Sequence, residues 1–381
     1  MHIAFISPEY PHKSLKRSAG LGTSIKNLAT GLVKEGNSIT VFVVFQNEDK
    51  VFLEDGIKVI SMSRKGFKFF GWYLERKHIQ EKIEQEIENS KIDILEAPDW
   101  TGITAFMRFK IPLLIRLHGS DAYFCHLEGR NQKCKHYFFE KNALKNADKI
   151  ISVSNFTANA TKQLFNLKHR IDTIYNGIDT ELFKPVNTNI NKHQLLYFGT
   201  IIRKKGVLEL ANIFNTIVDN YEKTSLVLIG KDVKDTLENK STLGLFYNLL
   251  TEKAKLKVEH ITQVPYEEIK TYIAKAEVVV LPSFAEAFPM TWLETLAMEK
   301  ALVTSNIGWA SELMIDAKTG YMVNPLNHKE FAEKIIDLLK DKEKNKAFGE
   351  NGRKHVSANF STSVIIKINI EMFESLLSKN A

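Results

Sequence analysis

Residues 283–294 read Ser283-Phe284-Ala285-Glu286-Ala287-Phe288-Pro289-Met290-Thr291-Trp292-Leu293-Glu294. They follow Val278-Val279-Val280-Leu281, an apolar β-branched run of the length expected for a buried strand. Pro289 marks the first turn of a helix. A strand, a tight loop and a helix N-terminus make an anion site, because the first backbone N–H groups lack intrahelical partners and the helix dipole adds partial positive charge. Glu286 lies on the loop and Glu294 five residues beyond Pro289, about 7 Å down the helix at 1.5 Å per residue. That is about the separation of diphosphate and ribose in a nucleotide lying along the helix. The stretch therefore suggests phosphates at Phe288, Pro289, Met290 and Thr291, ribose hydroxyls on Glu294 and a sugar near Glu286. A plain βα unit with a solvated Glu294 shows the same local pattern, so the remaining chain has to discriminate.

The chain has 381 residues, enough for two domains with separate cores. Hydrophobic residues at 44% and charged residues at 25% describe an ordinary globular protein. No apolar run reaches the ~18 residues of a membrane span. The start, Met1-His2-Ile3-Ala4-Phe5-Ile6, is strand-like and lacks the basic n-region of a secretion signal, so a cytoplasmic protein is expected. Cys125 and Cys134 are the two cysteines, with His126 and His136 beside them. Cys-His-x7-Cys-x-His lacks the paired spacing of structural zinc sites, so reduced, non-ligating thiols and no metal are expected. The net charge is +7, and residues 1–180 contribute +6 of it. A basic first half suits an anionic or membrane-surface partner, while solubility alone explains the same charge equally well.

In chain order, His2–Ser7 reads as a strand, Pro8 to Gly22 as a loop, and the next segment as a helix burying Ile25, Leu28, Ala29, Leu32 and Val33. Strand Ile39–Phe45 completes an opening βαβ unit of a parallel sheet. Gly20 and Gly22 bring bare backbone to a helix N-terminus where a phosphate or sugar could approach, although a simple turn explains them too. The third glycine of a dinucleotide fingerprint is missing, so no NAD site is read. Arg64–His78 interleaves basic residues with Phe67, Phe69, Phe70, Trp72 and Tyr73, a pattern that fits either a membrane interface or a core with solvated lysines. Asp99 and Trp100 follow the strand Ile92–Glu96, and His118 and Asp121 follow the strand Ile111–Leu117. Both pairs sit at strand C-terminal ends, where open α/β sheets bind ligands. Residues 185–192 are polar and Asn-rich, a linker into a second βα series. That series opens with Gly199-Thr200-Ile201-Ile202-Arg203-Lys204-Lys205-Gly206, whose cations at a helix start can neutralise a diphosphate. Strand Leu302–Ser305, Ser311-Glu312-Leu313 and a hairpin-like Thr319–Val323 come later, and a last helix spans about 361–381.

Glu286 and Glu294, spaced E-x7-E in the setting Phe-x-Glu-Ala-Phe-Pro, resemble the donor-site signature of family-4 retaining glycosyltransferases of the GT-B fold. The glycine loop at Gly20, the histidine at 118, the segment Asn176-Gly177-Ile178-Asp179 and the order of the later elements are similar too. The resemblance implies an α/β fold of two Rossmann-like domains facing a cleft: residues 1–184, which bind the acceptor, and residues 193–360, which bind the sugar nucleotide. It also implies that the helix at 361–381 crosses back to the first domain. The implied reaction moves a hexosyl group from a nucleoside diphosphate sugar to an acceptor hydroxyl with retention. Glu286 and His118 would then be catalytic, and Gly20, Gly22, Arg203, Lys205, Phe288, Pro289, Met290, Thr291 and Glu294 would bind the donor. Thr200 stands where the family carries an arginine, so that task passes to Arg203. Asp99, Trp100 and Asp121 are the acceptor-side candidates. No Asp-x-Asp occurs, so the device that bridges a metal in the other glycosyltransferase fold is missing, and neither metal nor cofactor is expected. The expected partners are a nucleotide sugar and a glycan or lipid-linked acceptor of surface polysaccharide or lipopolysaccharide assembly, without nucleic acid. A peripheral contact of the basic aromatic stretch with an anionic membrane, on the cytoplasmic face, completes the expectation. A phosphorylase with a pyridoxal lysine, or a non-catalytic sugar-nucleotide-binding protein, remains as an alternative.

Overall fold

The structure, a computed structural model, describes residues 1–16, 18–168 and 170–380. The expected last helix runs Thr362–Asn380, and Ala381 at the end of the expected range lies outside the described residues. The chain forms two compact units, one of residues 1–177 together with the helix Thr362–Asn380, the other of residues 178–361.

In the first unit the strands are β1 (His2–Ser7), β2 (Ser38–Gln46), β3 (Lys50–Glu54), β4 (Ile57–Ser63), β5 (Ile94–Pro98), β6 (Leu113–Leu117), β7 (Lys149–Ser152) and β8 (Asp172–Thr173). They form one sheet in the order β3-β4-β2-β1-β5-β6-β7-β8. Every pairing is parallel except β3 with β4. Alternation along each strand sends side chains to opposite faces. Ile3, Phe5 and Val41 thus pack under the helices Gly20–Lys34 and Thr362–Asn380, and Ile6, Phe42 and Val44 under Ile79 and Ile83 of the helix Gly71–Ser90. The hairpin β3–β4 was not anticipated, although Asp55-Gly56 is its signal: both residues have positive φ (50° and 80°), as a two-residue type I′ turn requires.

In the second unit β9 (Gln194–Phe198), β10 (Ser225–Ile229), β11 (Val258–Ile261), β12 (Val278–Leu281), β13 (Leu302–Ser305) and β14 (Tyr321–Val323) form a parallel sheet in the order β11-β10-β9-β12-β13-β14. The expected hairpin at 319–323 is corrected here. β14 pairs with β13 in parallel, because the helix Ala310–Leu313 and the turn before Gly320 return the chain to the edge in the same direction. Both units are therefore Rossmann-like. In each the strand order reverses beside one central strand, β1 in the first and β9 in the second, and ligands of open α/β sheets bind outside the strand C-termini at that point.

Candidate functional site

β9 and β12 are neighbours at the reversal point of the second sheet, so the segments that follow them, 199–206 and 282–289, meet at one edge. Their backbones are tied together: the N–H groups of Phe284 and Ala285 donate to the carbonyl of Lys204, at 2.8 and 3.3 Å. Gly206 has φ +70°, and a Cβ there would sit 1.8 Å from the Pro282 carbonyl oxygen. No other residue lets the two segments approach so closely. The result is an ion pair between Lys205 Nζ and the Glu286 carboxylate, with Glu286 buried beneath it.

The helix Met290–Ala297 starts from Pro289, whose extended backbone precedes the first turn. Phe288, Pro289 and Met290 are buried and Thr291 half-buried, with Phe288 packed on Phe360 at 5.4 Å between ring centres. Glu294 is buried, and its Oε1 accepts a hydrogen bond from the Tyr266 hydroxyl at 3.0 Å. Burial pushes its carboxyl up to about 7, against the opposing pull of Tyr266 and Lys205. A folded-state pKa above the ordinary 4.5 means that the folded chain keeps a proton the unfolded chain has released. This group's contribution to stability is therefore complete below about pH 4.5 and is lost as the pH rises through about 7. Melting temperatures of Glu294→Gln and the parent, compared across that window, are expected to diverge, the variant falling less. Parallel profiles would reject the assignment.

Arg203 does not share the Lys205 contact. Its Nε and one terminal nitrogen grip the Asp235 carboxylate at 2.8 and 3.1 Å, and the same terminal nitrogen reaches Glu238 at 3.1 Å. The bidentate hydrogen bond to Asp235 holds the guanidinium above its ordinary pKa and Asp235 below. Asp235 and Tyr266 are site neighbours that sequence reasoning missed. Only the hydroxyl and carboxylate types were available as signals, because each partner lies about 30 residues from the group it contacts.

In the first unit, Asp99 and His118 follow the adjacent strands β5 and β6 and are brought together: Asp99 Oδ1 accepts the backbone N–H of His118 at 2.9 Å. Desolvation, joined by the positive charge of Arg116, holds the His118 imidazole down at about 3, so it is neutral at physiological pH. Asp99 is completely buried, and its desolvation raises the carboxyl to about 7. Trp100, the next residue, is exposed. Asp121 opens the helix Asp121–Leu127 and takes hydrogen bonds from His136 (3.0 Å), Arg130 (3.4 Å) and the Cys125 thiol (3.7 Å). Burial acts upward on its pKa, and the hydrogen bond from His136 together with the charge of Arg130 outweighs it. The first amides of that helix, of Asp121 and Ala122, donate to Glu140.

The glycine loop differs from expectation in one respect. The helix begins at Gly20, so Gly20 and Gly22 lie in its first turn and not before it. Glu9, missed in the sequence, lies against that helix start: its Oε1 accepts from the N–H groups of Ala19 (3.1 Å) and Gly22 (2.8 Å). A glutamate just after a strand, ahead of a Gly-x-Gly, was the available signal.

Comparison with known proteins follows the same division of the chain. The description "Glycosyltransferase Family 4" matches residues 18–182 and "Glycosyl transferases group 1" matches residues 179–355. An uncharacterised glycosyltransferase of Methanocaldococcus jannaschii is 30% identical over 281 residues, 72% of this chain and 73% of that protein. The capsular polysaccharide biosynthesis glycosyltransferase CapM of Staphylococcus aureus is 28% identical over 270 residues, 64% of this chain and 66% of its own. Among solved structures, sucrose-phosphate synthase from Thermosynechococcus elongatus superposes with a TM-score of 0.83 at 19% identity, covering 99% of both chains. HepE of Anabaena in complex with UDP and glucose gives 0.78 at 18% identity, covering 98% of this chain and 100% of its own. The chain belongs to family 4 of the GT-B glycosyltransferases.

Proposed function

We propose that the chain transfers a hexosyl group from a uridine diphosphate sugar to an acceptor hydroxyl, with retention and without a metal. The observation that carries this reading is the placement of Lys205, Glu286 and Glu294 around the start of one helix at the reversal point of the second sheet. Uridine as the base, and a donor of the glucose type, are supported by HepE, a structural neighbour solved with UDP, with UDP-glucose, and with UDP and glucose. CapM supports an acceptor in surface polysaccharide assembly.

In this reading the diphosphate lies at the first turn from Met290, its charge met by Lys205, Arg203 and the helix N–H groups. Glu294 receives the ribose hydroxyls and Glu286 those of the sugar. The leaving phosphate oxygen accepts the proton of the attacking hydroxyl on the face it vacates, which gives retention. His118 belongs to the same proposal as a neutral imidazole for the transferred sugar. Asp99, Trp100 and Asp121 remain the proposed acceptor side, with Gly20 and Gly22 reached by the donor only if Glu9 yields its hydrogen bonds.

The test is calorimetry of UDP, GDP and ADP with the parent and two variants. UDP is expected to bind most tightly, and Lys205→Ala to lose roughly 1.5–3 kcal/mol, the range for a charged hydrogen bond. Arg203→Ala is expected near the lower end, because Asp235 and Glu238 already share its charge. Undiminished UDP affinity in both variants would sink the diphosphate assignment.

A further inference from the structure

The segment 64–70 is exposed at every residue, and it ends in Phe69 and Phe70, 79% and 74% exposed. Such side chains are rarely left in water side by side, and contiguous exposed apolar surface marks an interaction site. Phe70 is also held at φ +50°, a left-handed conformation that is an outlier for a bulky side chain. Strain of this kind persists only where surrounding structure enforces it, and it clusters at functional positions.

The two phenylalanines continue into an aromatic cluster made by three segments of the first unit. Trp72 packs on Phe106 (5.5 Å) and Phe139 (5.1 Å), and Phe106 on Phe138 (5.8 Å), which is itself exposed. Lys135 lies 5.9 Å from the Trp72 ring and 5.6 Å from Phe139, and Arg76 lies over Phe139 at 4.2 Å. Within this cluster Phe106 also has positive φ, 67°.

Charge around this face is segregated by sign. The exposed residues of charged type in segments 64–74, 99–110 and 131–141 are Arg64, Lys65, Lys68, Arg108 and Lys110, with Lys133, Lys135 and Lys141 on the third. The carboxylates of the same segments, Asp99 and Glu140, are buried. Outside those segments, Asp49 lies 3.5 Å from Lys65 and Glu88 lies 3.8 Å from Lys110. A carbohydrate or peptide surface would be expected to offer exposed acceptors beside the rings. Apolar rings bordered mainly by cations complement a layer of anionic headgroups over hydrocarbon.

We propose that this face docks on an anionic lipid bilayer, with Phe69 and Phe70 entering the headgroup region and the cations meeting lipid phosphates. It is a peripheral attachment, since no helix among the described residues is long and apolar enough to cross a membrane. The proposal is independent of which sugar is transferred.

The test is co-sedimentation of the full chain with vesicles of phosphatidylcholine, with and without phosphatidylserine, at low and high salt. Binding is expected only with phosphatidylserine and should weaken as salt rises. Loss of one cation is worth about fivefold near such a surface, so K65Q/K68Q should lose about twenty-fivefold. F69S/F70S should lose roughly tenfold or more. Unchanged melting temperature and UDP affinity in both variants show that the fold and donor site are intact, which separates this outcome from failure of the functional reading. No binding to phosphatidylserine vesicles, equal binding to pure phosphatidylcholine, or undiminished binding by both variants overturns the proposal. So does a concentration-dependent dimer that F69S/F70S abolishes while vesicles remain unbound.

Discussion

Glu286→Ala is expected to lower kcat by about a hundredfold or more while UDP affinity stays equal or rises. In the free chain the Glu286 carboxylate neutralises Lys205, so removing it leaves the ammonium with more charge to offer a phosphate. In the proposed reaction, what the variant loses is a polar group held by burial and by that ion pair, which would face the sugar as positive charge grows at its anomeric carbon. Interactions that strengthen in the transition state appear in kcat. Glu294→Ala should do the reverse. Ribose hydroxyls scarcely change as the glycosidic bond breaks, so their loss is uniform binding and raises KM. UDP affinity should fall by roughly 1.5–3 kcal/mol, with kcat nearly intact. Calorimetry beside steady-state kinetics separates the two. If Glu286→Ala loses free-UDP affinity and Glu294→Ala does not, the donor lies in the opposite orientation. If neither changes anything, the helix at Met290 is not the donor site.

The largest effect on stability is expected from Glu96→Ala. Glu96 on β5 and Arg116 on β6 form a bidentate pair at 2.7 and 3.0 Å, both almost wholly buried, and Arg116 also donates to Asn369 Oδ1 at 2.5 Å. Asn369 belongs to the helix Thr362–Asn380, so the pair anchors that helix to the first sheet. Removing Glu96 strands a guanidinium in the interior, which costs about 3–5 kcal/mol. The first unit's melting transition should fall by roughly 6–20 °C. Asn369→Ala should cost less, about 1.5–3 kcal/mol, because the ion pair survives. Glu96→Leu combined with Arg116→Met should recover much of the loss, since the pair itself is close to neutral against apolar packing. A loss in Glu96→Ala no larger than that of an ordinary surface substitution would contradict the burial assigned to Arg116.

What could be read in the sequence was local. Val278–Leu281 and Pro289 lie in one continuous segment, so the strand and the helix start followed from periodicity and the position of the proline. The pairing of Lys205 with Glu286 joins residues 81 positions apart and depends on the sheet order, which no local pattern encodes. Arg203 shows the same limit from the other side. Three cations in a row look free in a sequence, and one of them proves to be gripped by Asp235 and Glu238 from the connection after β10. Burial was also illegible. Asp99 and Glu140 are charged by type, and only the packed structure shows that they are withdrawn from solvent while the lysines around them are not. Thr319–Val323 misled because glycine before a short apolar run serves a hairpin and a parallel edge strand alike.

The place of the helix Thr362–Asn380 bears on how the chain is made. It covers Gly31 and the sheet face of Ile3 and Phe5, yet the 184 residues of segment 178–361 separate it from the rest of its unit. At ribosomal rates of roughly 5–20 residues per second, the first unit waits on the order of 10–40 s, its apolar face open, for the piece that closes it. The second unit is continuous and meets no such delay. In the cell the order of emergence and the order of completion are thus opposed. The nascent first unit, not the second, is the part that needs a chaperone's cover, and a ribosome stalled before residue 362 would release a chain with a finished second unit and an unsealed first.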